Sequence, residues 1–99
     1  MKQINNMTHE IDFIVALLKS YGANKISLFG SCARGDNRLD SDIDVLVEFK
    51  EVITLIDLAH IIRVVKDETG LMLDIVTKNS LSPYLAPYIE KDLRIIYST

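Results

Sequence analysis

A single mixed β-sheet flanked by helices, an α/β (α+β) architecture, is what this 99-residue sequence predicts. Three observations carry the prediction. Apolar residues recur at helical spacing in two stretches, each closed by a glycine, Gly22 and Gly70. Short apolar runs lie between and after those stretches, too brief for helices of their own. One of these runs, Ile43 to Phe49, alternates: Ile43, Val45, Val47 and Phe49 fall on one side, Asp44, Leu46 and Glu48 on the other.

Thr8 is placed to cap a first helix, with Ile11, Ile14, Val15 and Leu18 on its buried face and Gly22 as its stop. Lys25 to Phe29 reads as a short strand. Gly30-Ser31 turns the chain, Cys32-Ala33-Arg34 starts a short helix, and Gly35 to Ser41 is rich in Gly, Asn and Asp and reads as loop. After the strand Ile43 to Phe49, a second long helix runs from about Thr54 to Thr69, its buried stripe formed by Leu55, Leu58, Ala59, Ile62 and Val65. Leu71 to Thr77 is a further strand. Ser82-Pro83 opens a short helix with proline in its first position, and Leu93 to Tyr97 is a last strand. The expected order is αβαβαβαβ, with residues 1–99 as one domain and no repeat, linker or low-complexity tract.

Bulk composition narrows the function. With 48% hydrophobic and 25% charged residues the chain is of ordinary globular type. A net charge of −3 argues against a protein that grips DNA or RNA by neutralising phosphates. It leaves a nucleotide substrate open, because metal ions can bring the positive charge. The lone Cys32 cannot form an internal disulfide, the first residues lack a signal-peptide core, and no apolar run approaches a membrane span. A soluble cytoplasmic protein is expected.

The chemistry concentrates around residue 30. Gly30-Ser31 follows a strand, and ten residues later comes Asp42-Ile43-Asp44. Side chains two apart on a strand share a face, so Asp42 and Asp44 can both reach one pair of metal ions. Asp74 sits within an otherwise apolar strand, where burial without a partner is costly. If that strand neighbours Ile43 to Phe49, Asp74 joins the other two. Three carboxylates around two Mg²⁺ ions suit in-line phosphoryl or nucleotidyl transfer, one ion activating the attacking oxygen and the other steadying the triphosphate and the leaving pyrophosphate. Gly30 lets backbone approach a phosphate, Ser31 offers a hydroxyl before a helix start, and Arg34 lies one turn on, able to offset phosphate charge.

Each feature has a plainer reading. Gly-Ser alone is a turn, Asp-x-Asp alone a solvated strand end, and Arg34 a surface partner for Asp36 or Asp40. Asp74 alone is a strand residue facing water. Their coincidence at this spacing is what favours a site. Other residues carry less. His9 and His60 lie on helices without ligand-spaced neighbours. Cys32 has no nearby histidine base and reads as structural. Glu48 shares a face with Asp44 and reads as a strand-end charge. Tyr84, Tyr88 and Tyr97 are packing or partner surface, and Leu85 and Ile89 extend that apolar segment.

Gly30-Ser31, the ten-residue spacer and Asp42-Ile43-Asp44 resemble the signature of the DNA polymerase β-like nucleotidyltransferase superfamily. The runs Phe29 to Gly35 and Ser41 to Glu48 resemble its minimal nucleotidyltransferase (MNT) branch, over most of the chain. The resemblance implies the polymerase β-like fold, Asp42, Asp44 and Asp74 as the catalytic metal ligands, and Gly30 with Ser31 at the triphosphate of ATP. It also implies a partner, since members of this branch commonly pair with a HEPN-domain RNase toxin and act as antitoxin by transferring AMP from ATP to a toxin tyrosine. Cys32 departs from the pattern, because many relatives carry a basic residue there.

The leading expectation is an Mg²⁺-dependent protein adenylyltransferase antitoxin that forms a hetero-oligomer with its toxin. Two alternatives stand beside it. One is nucleotidyl transfer to a small hydroxylated molecule with help from a partner chain. The other is neutralisation of the toxin by binding alone.

Overall fold

The computed structural model describes residues 8–30 and 42–99. In chain order the elements are α1 (Thr8–Ser20), β1 (Ala23–Phe29), β2 (Ile43–Phe49), α2 (Leu55–Thr69), β3 (Leu73–Thr77), a 3₁₀ turn (Lys78–Ser80), α3 (Ala86–Glu90) and β4 (Arg94–Ser98). The expected helix at Cys32-Ala33-Arg34 and the loop Gly35 to Ser41 lie outside the described residues.

Among the described residues four strands form one mixed sheet in the order β3-β2-β1-β4. β2 runs antiparallel to β1 and parallel to β3, and β4 runs antiparallel to β1. The first and last strands are therefore neighbours, and the Thr99 N–H donates to the Asn24 carbonyl at 3.0 Å. Strand periodicity gives the sheet two unlike faces. One buries Ile26, Leu28, Ile43, Val45, Val47 and Leu73 against Ile14 and Leu18 of α1 and Ile61 and Val65 of α2. Full burial of each such aliphatic side chain contributes about 1.5–3 kcal/mol. The opposite face carries Lys25, Ser27 and Phe29 of β1 across from Glu48, Leu46 and Asp44 of β2, with Asp74 beside Asp44 on β3.

α1 buries the face its spacing predicts, with Ile11 and Val15 packed beside Ile14 and Leu18. α2 begins at its predicted cap: Thr54 Oγ1 accepts the Asp57 N–H at 3.0 Å. It ends where Gly70, at φ 77°, donates its N–H to the Lys66 carbonyl. Its predicted stripe needs correction. Leu55 and Ala59 are exposed, whereas Ile61, absent from the predicted stripe, is fully buried. The first turn of α2 overhangs the far ends of β2 and β3. There it borders an open cleft of about 540 Å³ lined by Val47, Phe49, Leu55, Leu58, Ile75 and Thr77 among others, so close packing starts only further along the helix.

Strand limits shift by one or two residues from those expected, with β1 starting at Ala23, β3 at Leu73 and β4 at Arg94. Leu71 is buried but lies outside the strand, its N–H held by Thr69 Oγ1. The last helix begins at Ala86, with Pro87 rather than Pro83 in its first turn. Ser82 builds a turn instead. Its hydroxyl accepts the Tyr84 N–H and its carbonyl accepts from Leu85 and Ala86. No helix among the described residues is long and apolar enough to cross a membrane.

Candidate functional site

The Asp44 and Asp74 pair is set by register. In the parallel ladder of β2 and β3, Asp44 stands directly opposite Asp74. Paired positions project to the same face, so two carboxylates meet where the core ladder Ile43, Val45 and Leu73 presents its reverse side. The two carboxyl groups are close enough for each to bear on the other's charge.

Asp44 pays for this place electrostatically. Its pKa is pushed up to about 6, first by partial burial, then by the charge of Asp74, the hydrogen bond with Asp74 and the charge of Asp42. Asp42 precedes β2, is exposed, and lies within electrostatic reach of Asp44. Asp74 is exposed and is the second residue of its strand. The cost of burial that its apolar surroundings suggested therefore falls on Asp44 instead.

Gly30 ends β1 at φ 68°, a left-handed conformation that favours glycine. A Cβ placed on it would stand 2.7 Å from Asp44 Oδ2 and 3.6 Å from Asp44 Cγ. Phe29 is the cross-strand partner of Asp44, so the β1 terminus and the carboxylate are brought together by the β1–β2 ladder. The predicted Ser31 and Arg34 lie outside the described residues.

The strand period put Glu48 on the face of Asp44, and the structure gives it a different environment. Glu48 Oε2 lies 3.9 Å from Lys25 Nζ and 3.7 Å from Lys78 Nζ. Lys25 is its cross-strand partner, a pairing that strand periodicity alone does not disclose. Ser27, between the two ends of this face, is only 2% exposed and was not singled out by the sequence.

Asp44 and Asp74 pair at the start of β2 and β3 with Asp42 in electrostatic reach, and oxygen donors of this kind suit hard divalent cations. Among the described residues no set of three His, Cys, Asp or Glu side chains is placed to hold a metal ion together. Mg²⁺ does not require such a set, since it is commonly held by one or two carboxylates together with waters and substrate phosphates.

Residues 11–96 match the family model of the nucleotidyltransferase domain. A candidate protein adenylyltransferase of Methanocaldococcus jannaschii is 38% identical over 78 residues, covering 78% of this chain and 80% of the relative. The protein adenylyltransferase MntA of Thermococcus cleftensis is 32% identical over 77 residues, covering 78% of each. Among solved structures, a candidate minimal nucleotidyltransferase superposes with a TM-score of 0.79 at 31% identity, over 94% of this chain and 95% of that one. An MNT antitoxin in complex with the tri-AMPylated HEPN toxin of Shewanella oneidensis gives a TM-score of 0.74 at 20% identity, over 94% and 73%, a likeness of fold.

Proposed function

Because this chain belongs to the nucleotidyltransferase domain family, we propose that it is a protein adenylyltransferase antitoxin, transferring AMP from ATP to a tyrosine of a cognate HEPN-type toxin. That it is a nucleotidyltransferase follows from the family. The acceptor and the donor are the proposal, and they draw on the relatives whose names describe protein adenylyltransferases and an AMPylated HEPN toxin.

The observation that carries the reading is the register pair of Asp44 and Asp74, with the charge of Asp42 felt at the same point. A group of acids that raises the pKa of its own member is poorly arranged for stability and well arranged for a cation. Asp42, Asp44 and Asp74 are the residues that would hold Mg²⁺. When bound, the metal would supply charge neutralisation for the triphosphate and for the developing phenolate of the acceptor.

The remaining work belongs to the chain. Gly30 ends β1 beside Asp44, and with Ser31 and Arg34 it is proposed to seat the triphosphate. In the transfer the tyrosine hydroxyl releases its proton to solvent as its oxygen forms a bond to the α-phosphorus. The bond from that phosphorus to the bridging oxygen of the β-phosphate breaks, and pyrophosphate leaves with the electron pair. The lone cysteine suits work in the reducing cytoplasm.

Intact-protein mass spectrometry of the neighbouring HEPN-type protein, incubated with this chain, ATP and Mg²⁺, tests the reading. The expected result is a gain of one or more AMP units, lost with Asp42→Asn or Asp44→Asn. A stable complex with no mass gain would replace transfer with inhibition by binding.

A further inference from the structure

We propose that Gly30 is a positioning residue for Asp44: its bare α-carbon leaves the space in which the Asp44 carboxylate stands. This rests on the reading of Asp44 as a metal ligand and adds a role for Gly30 apart from any phosphate contact. Three of the chain's glycines adopt positive φ among the described residues: Gly22 at 92°, Gly30 at 68° and Gly70 at 77°. A Cβ on Gly22 or Gly70 would meet nothing within 4 Å. A Cβ on Gly30 would meet three atoms, all of the Asp44 side chain, the nearest at 2.7 Å, well inside the 3.4 Å where ordinary van der Waals contact begins. Backbone conformation accounts for glycine at all three positions, and space for a specific carboxylate is peculiar to Gly30.

The geometry also says which atom would yield. The β1–β2 ladder fixes both backbones through the pairing of Phe29 with Asp44. An added methyl must therefore displace the carboxylate, and Oδ2 is the oxygen that moves. Asp74 is the register partner of Asp44 on the neighbouring strand, so displacing the carboxylate also alters its relation to Asp74. Mg²⁺ demands near-ideal octahedral geometry at short distances, which makes a misplaced ligand oxygen costly.

The test combines Gly30→Ala, Gly70→Ala, Asp44→Ala and the double variant Gly30→Ala/Asp44→Ala. Mn²⁺ affinity is read by electron paramagnetic resonance without nucleotide, and thermal unfolding is read in chelator. Gly30→Ala is expected to weaken Mn²⁺ binding by about tenfold or more, while Gly70→Ala, equally strained in φ, leaves it unchanged. The fall in melting temperature caused by Gly30→Ala should shrink in the Asp44→Ala background, where only the backbone strain remains. Equal falls in both backgrounds, or Mn²⁺ affinity unaltered by Gly30→Ala, would overturn the proposal. Failure of the metal-ligand reading has its own signature, Mn²⁺ affinity unaltered by Asp44→Ala. If Gly30→Ala unfolds the chain, the double variant still decides: recovery of folding there supports the steric contact, and continued unfolding overturns it.

Discussion

The sheet face turned away from α1 and α2 carries acids at both ends of β2, and their treatment differs. Near its start, Asp44 meets Asp74 and feels Asp42, and its pKa rises to about 6. Near its end, Glu48 lies between Lys25 and Lys78. Both stand on the same face of the same strand, two strand periods apart. A carboxylate that serves only the fold is given cations. One set beside further carboxylates lowers stability where it stands. Position in the secondary structure does not separate the two, and the company each keeps does.

The largest expected effect is on rate. Asp44→Asn or Asp74→Asn should slow AMP transfer on the order of a thousandfold, the equivalent of about 4 kcal/mol of lost transition-state stabilisation, measured by mass spectrometry of the acceptor. Glu48→Gln, on the same face, should leave the rate within about twofold. An equal loss from Glu48→Gln would erase the contrast between the two ends.

Next in size is the response to metal. Mg²⁺ at about a hundred times its dissociation constant should stabilise the wild-type chain by about 2.7 kcal/mol, seen as a rise in melting temperature that Asp44→Asn abolishes. A similar rise in both proteins would place the cation elsewhere.

A smaller effect concerns pH in the metal-free protein. The folded pKa of Asp44, about 6, lies above its ordinary 3.8, so between those values the folded state binds more protons. The contribution of this group to stability is fully present below about pH 4 and is lost as pH rises through 6. Asp44 is half-exposed, so solvent screening reduces the swing to about 1 kcal/mol. Urea titrations of wild type minus Asp44→Asn across pH 4–7 isolate it. The variant should be the more stable at pH 7, and a less stable one would refute the repulsion. Smallest is Glu48→Gln, whose loss of exposed ion pairs should cost less than about 1 kcal/mol in the same titration.

The sequence placed Asp74 with Asp44 only on the condition that their strands were neighbours. The structure meets that condition, and the β2–β3 register, which the sequence did not disclose, sets the two residues opposite each other. The contrast with Glu48 was not legible, because it depends on the β1–β2 register that places Lys25 opposite. Gly30 was read through phosphate binding, while the contact visible in the structure is with Asp44. Helical spacing identified α2 and its stop but misjudged its buried side. Leu55, 83% exposed, belongs to a turn that extends past the packed part of the sheet, and periodicity gives direction without extent. Ser82-Pro83 carried a helix-start signal that the chain spends on a turn.

The neighbourhood of β1 and β4 has a consequence for how the molecule opens. β4 is an edge strand, three of its five residues are exposed, and its ladder joins segments some seventy residues apart, closing a long loop of chain. Such a strand is the first to fray, and amide hydrogen exchange should find β4 less protected than β2, which pairs on both sides. Fraying there uncovers the second edge of β1, a ready template for another extended segment. It leaves β1, β2 and β3 joined, so the carboxylate pair outlasts the loosest part of the sheet that holds it.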